Sequence, residues 1–396
     1  MSDKDSQPSR RTILQATTGA LASAGIVGLS SAKPADKVEV NVGFDGASGR
    51  NATLSAADDV VREFNFDAAT IQLPKKGAEA LARNPNIRYV EENGTMHALA
   101  ETEGWGIDRT DADVAHANGE TGSGADIAIL DTGIDSDHPD LQANIGSGKS
   151  FVSCSTKGGC RFGAKPADNT CYQSWDDDNN HGTHCAGIAN AVDNTEGVIG
   201  VSTEATLHAV KVLDKCGSGS FSDIAAGVEY VADQGWDVGS MSLGASSGSA
   251  ALRDACQYAV NAGVLLVGAA GNSGPCTDCV GYPAAYPEVM AVSSTASDDS
   301  LSDFSSTGPE VEIAAPGTDI YSSVASNGGY DTYSGTSMAT PHVAGAAGLL
   351  MANGYTASEA RDQLNATAEN IGLASNESGS GLLDVAASLG LDSSDN

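Results

Sequence analysis

The chain has 396 residues, enough for one large hydrophobic core or for two domains. It contains 20 Lys and Arg residues against 52 Asp and Glu residues, which gives a formal net charge of -32. This charge argues against nucleic acids and anionic membranes as partners. Because 40% of the residues are hydrophobic, the acidic groups must coat a folded body and do not form a disordered tail.

The same charge predicts a salt-rich environment. Surplus carboxylates repel one another in dilute buffer, whereas the screening length falls to about 3 Å at 1 M salt. We therefore expect a halophilic source. The alternative is an ordinary acidic secreted protein.

Residues 1–32 are predicted to be a twin-arginine export signal. Arg10 and Arg11 precede an apolar stretch, residues 13–29, that is rich in Gly, Ala, Ser and Thr. This stretch is too weakly hydrophobic for a membrane span, and no later segment has the roughly 20 apolar residues that a span requires. We expect a secreted, extracellular protein. The eight cysteines fit an oxidising exterior, and the sequence leaves their pairing open.

Two regions follow the signal. In residues 33–99, strand-like runs (KVEVNVGF, AATIQL, IRYVEE) alternate with runs that we predict to be helical (AADDVVREF, GAEALARN), which indicates a small α+β domain. In residues 100–396, apolar strands without polar alternation are separated by helices. That pattern predicts an α/β domain with a parallel sheet covered by helices on both faces. Functional sites in such sheets lie at the carboxyl ends of strands.

The stretch GTSMATPHVAG, residues 335–345, predicts a helix that begins near a serine. Ser337 would lie beside free backbone N–H groups and the positive end of the helix dipole. Pro341 falls in or just past the first turn, where a missing N–H is tolerated. This setting suits negative charge that develops on a substrate oxygen. A serine that merely caps the helix is the alternative.

Two further residues decide between these interpretations. Asp131 ends a buried strand in DIAILDTGID, and His181 begins a helix in NNHGTHCAG. Taken singly, Asp131 fits a turn and His181 fits a cap. Together with Ser337 they supply a carboxylate to orient an imidazole, an imidazole to take a proton and a hydroxyl to attack.

Three motifs, AILDTGID, HGTHCAG and GTSMATPHVAG, resemble those of the subtilases, the subtilisin-like serine endopeptidases. The resemblance runs from about Gly104 to Leu389, and the acidic composition and export signal resemble those of the halolysins. It implies a subtilisin-like α/β fold, an inhibitory and chaperone propeptide in residues 33–99, and a catalytic domain in residues 100–396. It also implies a secreted, self-processing endopeptidase that acts through an acyl-enzyme. A catalytically silent binding protein on the same fold and a narrow processing protease remain alternatives.

The resemblance also assigns roles to residues. Asp131 orients His181, His181 is the general base and then the acid, and Ser337 is the nucleophile. Asn272 in AAGNSG donates its side-chain amide to the oxyanion beside the Ser337 N–H. Two segments flank an extended substrate, which implies broad specificity. These edge segments are Gly217, Ser218 and Gly219 on one side and Ser242, Leu243 and Gly244 on the other.

Two more assignments concern the cleft. Gly281 forms the floor of a side-chain pocket, which leaves room for a large apolar or aromatic P1 residue. Ser240 stands where the family commonly has asparagine, and we expect this departure to alter the local hydrogen bonding without touching the triad. The substrates implied are proteins and peptides, the propeptide is the inhibitor, and a monomer is expected.

Calcium is the cofactor that the resemblance implies, and no organic cofactor is expected. The side chains of Asp140 and Asn194 match ligands of the family's tight calcium site, and Glu101 replaces a usual glutamine. A solvated loop carboxylate and a turn asparagine are the alternative. The carbonyl ligands implied are those of Val192, Glu196 and Val198.

The segment between Asp131 and His181 departs most from the family. It carries three cysteines and the run Asp176–Asp178, and we interpret it as a disulfide-bonded surface insertion with a solvated charge run. Extra cation binding by this run is the alternative. Cys185 resembles the buried free thiol of proteinase K relatives, which leaves at least one other cysteine free or paired between molecules.

Propeptide removal is predicted at the bond between Leu99 and Ala100. The uncharged segment TMHAL could add to the cleft as a strand, with Leu99 in the pocket above Gly281. A plain linker cut by other proteases is the alternative.

Overall fold

The computed structural model describes residues 37–64, 67–92, 104–160 and 166–393. The chain divides into two compact units, one up to Ala98 and one from Leu99 onward. The predicted export signal, the predicted cleavage bond and Glu101 lie outside the described residues. Within the described part of the chain, no helix has the length and apolar character needed to cross a membrane.

The first unit is an α+β domain with a four-stranded antiparallel sheet in the order β2-β3-β1-β4. One predicted helix was wrong: AADDVVREF contains a strand, and the helix lies earlier in the chain. The β-branched Val60 and Val61 favour an extended edge strand, and pairing with β3 fixes it. The elements are β1 Lys37–Phe44, α1 Gly46–Ala56, β2 Asp59–Phe64, β3 Ala68–Pro74, α2 Lys75–Leu81 and β4 Ile87–Glu92.

The second unit alternates strands and helices, as predicted. Its first elements are α3 Trp105–Arg109, α4 Ala112–Ala117, β5 Asp126–Asp131, β6 Lys149–Ser150, α5 His181–Asn190, β7 Thr206–Lys211, α6 Phe221–Gln234, β8 Val238–Met241, α7 Ala250–Asn261 and β9 Leu265–Ala269. The remaining elements are β10 Met290–Thr295, β11 Val311–Pro316, β12 Ile320–Val324, β13 Gly329–Tyr333, α8 Thr336–Ala352, α9 Ala357–Thr367, α10 Ser375–Ser378 and α11 Val385–Ser388.

A seven-stranded parallel sheet organises this unit, in the order β11-β10-β9-β8-β5-β7-β6. Alternate residues of β5 point to opposite faces. Ile127 and Ile129 pack with α5, α8 and α9, whereas Ala128 and Leu130 pack with α6 and α7. Both faces are therefore buried, and the carboxyl ends of the strands are the edge left for a site.

Helix α8 differs in one detail from the prediction. It begins at Thr336 with Gly335 as N-cap, so that Ser337 is the second helical residue and its side chain makes no cap. Pro341 is inside the helix and contributes no N–H to the carbonyl of Ser337, four residues earlier. The Ser337 hydroxyl is thus free of any capping role.

Three disulfides occur among the described residues: Cys154–Cys171, Cys160–Cys216 and Cys276–Cys279. Cys185 and Cys256 are free and buried. This confirms that Cys185 is a buried thiol and that one further cysteine is unpaired. Burial raises the pKa of both thiols, that of Cys256 to about 12, so neither is a ready nucleophile.

Candidate active site

The predicted functional residues gather at the carboxyl ends of the parallel strands. Asp131 is the last residue of β5, Ser242 follows β8, and Asn272 lies three residues after β9. Helices α5 and α8 begin at the same edge, with His181 at the first position of α5 and Ser337 at the second position of α8. Five chain segments thus supply one site.

Asp131 and His181 form a direct hydrogen bond. The Nδ1 atom of His181 lies 2.8 Å from Oδ1 of Asp131, which also accepts the N–H of Thr132 at 2.7 Å. Asp131 is fully buried, and the His181 side chain is 28% exposed. Since Nδ1 must donate to the carboxylate, Nε2 of the neutral ring is left as the proton acceptor.

A second carboxylate holds the start of helix α5. Oδ2 of Asp177 accepts the N–H and the hydroxyl of Thr183 at 2.9 and 2.7 Å, and Oδ1 accepts the N–H groups of Asn179 and Asn180. Asn180 is the N-cap residue of α5, but its side chain makes no capping hydrogen bond. Asp177 therefore caps the helix in its place. Its negative charge also lies at the positive end of the helix dipole.

These acids set the protonation of His181. Burial lowers the pKa of His181, but the charge and hydrogen bond of Asp131, together with the charge of Asp177, outweigh burial. The pKa of His181 is raised above its ordinary value of 6.5. The imidazolium form is stabilised where it would have to store a proton during a reaction.

The backbone of Ser337 is held by side chains from two other elements. Its carbonyl oxygen accepts the hydroxyl of Ser242 at 2.8 Å and the thiol of Cys185 at 3.4 Å. These donors replace the N–H that Pro341 lacks. The Ser337 hydroxyl donates to the carbonyl of Ser242 at 3.3 Å. The structure shows no hydrogen bond between this hydroxyl and His181, and such bonds often form only when substrate is present.

Asn272 is oriented by the start of helix α8. Its Oδ1 accepts the backbone N–H of Thr336 at 2.9 Å and the Thr336 hydroxyl at 3.0 Å. Because an N–H can only donate, these bonds fix the amide flip, and Nδ2 is the group left to donate. Asn272 is exposed and lines the same cavity as Ser337. The first-turn N–H of Ser337, which has no acceptor inside the helix, lies at the same helix start.

Two depressions adjoin these residues and share the segment Ser242–Ala245 in their walls. A groove of about 690 Å³ contains His181, the segment Cys216–Phe221 and Tyr282. Within the described part of the chain, the backbone N–H and C=O groups of Gly219 and Gly244 make no hydrogen bond. Unpaired backbone groups of this kind can pair with an extended peptide.

The second cavity, of about 530 Å³, contains Ser337, Asn272 and Gly281. A Cβ atom on Gly281 would lie 3.3 Å from the Ala245 carbonyl oxygen, so a larger residue there would crowd the backbone of the shared wall. Asp278 adds one carboxylate to the lining. The predicted edge segments and pocket floor are thus all brought to the same cleft.

The predicted metal-ligating residues also come together, except for Glu101. Asp140 is fully buried, and its carboxylate accepts the Asn194 side chain at 3.1 Å and the Val198 N–H at 2.9 Å. A Cβ on Gly197 would lie 2.1 Å from Oδ2 of Asp140, so the loop closes over this carboxylate only with glycine there. No ion pair to Asp140 occurs among the described residues. A buried carboxylate without a cationic partner fits a calcium ion, because carboxylate oxygens are among the ligands that calcium prefers.

Sequence reasoning missed several residues. The run Asp176–Asp178 is not a solvated charge run: its three residues are at most 1% exposed. Backbone amides and hydroxyls satisfy Asp177, and Lys211, itself fully buried, pairs with Asp178 at 2.6 Å. A lysine inside the apolar run HAVKVL was the signal that a buried carboxylate must exist. Ser240 is 1% exposed, and its hydroxyl makes no hydrogen bond within the described residues.

Comparison with known proteins agrees with this geometry. The sequence matches the Subtilase family over residues 122–382. The chain belongs to the subtilase family. It is 41% identical over 333 residues to subtilisin E of Bacillus subtilis strain 168, a match that covers 83% of this chain and 82% of that protein. It is 42% identical over 317 residues to a thermostable alkaline protease of Halalkalibacterium halodurans, covering 79% and 81%. This subtilase is a subtilisin-like serine endopeptidase.

The electrostatics of this subtilase predict how its histidines titrate, which proton NMR of the imidazole rings measures. We expect His181 to titrate with a midpoint above pH 6.5. Burial lowers the pKa of His184 and that of His342 to about 4. In Asp131→Asn the His181 midpoint should fall below 6.5, because burial then meets a much weaker opposing charge. His342 is the internal control and should not change. An unchanged His181 midpoint in Asp131→Asn would contradict this account.

Proposed function

We propose that this subtilase is a secreted endopeptidase, made as a zymogen, in which Ser337 is the nucleophile and His181 the general base. The observation that carries the proposal is the hydrogen bond between Asp131 and His181. His181 lines the groove, and so does Ser242, whose hydroxyl donates to the Ser337 carbonyl. The bond fixes the ring tautomer, and the groove offers unpaired backbone to a peptide.

In the proposed reaction, Nε2 of His181 takes the proton of the Ser337 hydroxyl while the oxygen attacks the scissile carbonyl carbon. The carbonyl oxygen becomes an oxyanion, to which the Nδ2 group of Asn272 and the N–H of Ser337 donate. The imidazolium, stabilised by Asp131, then passes its proton to the leaving amine. Water repeats the sequence on the acyl-enzyme and releases the acid.

The cleft supports broad specificity with a preference for a large apolar P1 residue. Backbone pairing along Gly219 and Gly244 is independent of side-chain identity. The space above Gly281 admits a large side chain, and Asp278 disfavours an acidic one through like-charge repulsion. Protein and peptide substrates follow from this cleft. We also propose that the enzyme works as a monomer.

We further propose a twin-arginine signal in residues 1–32, a propeptide in residues 33–99 and a catalytic domain in residues 100–396. The compact first unit with its own hydrophobic core supports a propeptide that folds as a domain. Calcium at Asp140 and adaptation to high salt complete the proposal. The buried, ion-pair-free carboxylate supports calcium, and the net charge of -32 supports the salt requirement.

Expression of the full chain in molar salt tests the nucleophile and the maturation together. Ser337→Ala should lose peptidase activity by at least about a thousandfold and accumulate unprocessed, because no acyl-enzyme forms. The parent should yield a mature N-terminus at or within a few residues of Ala100. Trace parent enzyme added to Ser337→Ala should restore cleavage at the same bond, which shows that the variant is folded. Unaided processing of Ser337→Ala would contradict the proposal.

Urea unfolding at low and high salt tests the environmental adaptation. At fixed calcium, stability should be lost at about 0.01 M salt, where the screening length is about 30 Å, and retained at about 1 M. At fixed high salt, calcium at a hundred times its dissociation constant should add about 2.7 kcal/mol to the unfolding free energy. Asp140→Asn should abolish the calcium effect and keep the salt effect. Equal stability at both salt concentrations would refute halophilic adaptation.

A further inference from the structure

The segment between β6 and α5 does more than connect them. We call residues 154–178 the cysteine loop; the structure describes residues 154–160 and 166–178 of it. The Cys154–Cys171 disulfide joins its two described arms, and the Cys154 N–H donates to the Ser174 carbonyl at 2.9 Å. The loop ends three residues before His181, so anything that fixes its end also fixes the start of helix α5.

The cysteine loop is covalently joined to one wall of the substrate groove. Cys160 forms a disulfide with Cys216, which lies beside Gly217–Gly219 and itself lines the groove. The Lys215 Nζ donates to the carbonyl of Lys157 in the loop. At the His181 end, the Asn179 side chain donates to the Lys215 carbonyl at 2.9 Å. Lys215 and Cys216 are therefore held from both sides.

A buried ion pair is the second connection between the cysteine loop and the groove wall. Lys211 donates to Oδ1 of Asp178 at 2.6 Å and to the carbonyl of Leu213 at 3.0 Å, and it also donates to the carbonyl of Thr132. Asp178 in turn accepts the Ser155 N–H at 2.7 Å through Oδ2. One ammonium group thus links the residue after Asp131, the end of the cysteine loop and the beginning of the groove wall.

The groove wall is a turn whose internal hydrogen bonds all involve Asp214. Residues 213–219 lie outside any helix or strand, and their turn closes through the Asp214 N–H to the Ser218 carbonyl at 2.9 Å. The Gly217 φ angle of 69° lies in the left-handed region. A glycine-rich segment of this kind loses much conformational freedom when it pairs with a peptide, unless it is ordered beforehand.

From these contacts we infer that the cysteine loop is a specificity element that orders the groove wall, residues 213–219, relative to His181. Cys160 and Asp178 are its positioning residues. The inference rests on the proposed peptidase function. Extended substrates, which pair with the wall over several residues, depend on the loop. Substrates with only a P1 residue do not touch the wall and are insensitive to it.

Steady-state kinetics of Cys160→Ala tests the inference, with a tetrapeptide anilide ending in Phe and an acetyl-phenylalanine ester. This variant breaks the bridge but leaves Cys216, which lines the groove, in place. We expect KM for the tetrapeptide to rise about tenfold, which equals about 1.4 kcal/mol of lost binding. Ester turnover and kcat for the tetrapeptide should stay within about twofold.

The double variant Cys154→Ala with Cys171→Ala is the matched control. It removes a disulfide of the same loop that does not reach the wall, so its tetrapeptide KM should stay within about twofold of the parent. The inference would be overturned if Cys160→Ala lost activity equally on both substrates or on neither of them. The same rise of the tetrapeptide KM in the control would also overturn it.

Asp178→Asn provides an independent variant if Cys160→Ala does not fold. It keeps the shape of the side chain but removes the negative charge that pairs with Lys211, and it should raise the tetrapeptide KM more than the ester KM. An Asp178→Asn variant with matched losses on both substrates would count against the inference. Failure of the parent to hydrolyse the ester would instead contradict the proposed function.

Discussion

The missing amide of Pro341 is the constraint on which the active site depends. Without an N–H four residues after Ser337, the carbonyl of Ser337 would be left unsatisfied near the protein interior, at a cost of about 1–3 kcal/mol. The hydroxyl of Ser242 and the thiol of Cys185 supply the donors. Since Ser242 follows β8 and Cys185 belongs to α5, the helix of Ser337 is fastened to the sheet and to the helix of His181.

Electrostatics impose a second constraint, because the site concentrates buried acids. Asp131, Asp177 and Asp178 are all at most 1% exposed, and Lys211 is the only buried Lys or Arg in the part of the chain that the structure describes. The three acids are satisfied differently. Asp131 bonds His181, Asp177 accepts helix amides and hydroxyls, and Asp178 pairs with Lys211. Two of these charges raise the pKa of His181, and the third secures the loop that leads to it.

The sequence was most informative where local pattern and tertiary packing agree. Apolar runs without alternation predicted the parallel sheet, and Asp131, His181 and Ser337 were found at strand and helix ends as expected. The helix predicted for AADDVVREF was wrong, because pairing with β3 at the edge of the sheet favours a strand there. The run Asp176–Asp178 was misjudged because exposure depends on distant partners. Thr132, Lys211 and Ser155 reach these acids from elsewhere in the chain, and no local pattern encodes such contacts.

The central claim is that this geometry makes one serine, Ser337, a nucleophile that His181 activates. Labelling with a fluorophosphonate, followed by intact-mass measurement and peptide mapping, tests it most directly. We predict one probe per chain, on the peptide that contains Ser337, and loss of labelling in His181→Ala when the variant is folded. Labelling of a different serine, or undiminished labelling of folded His181→Ala, would contradict the account.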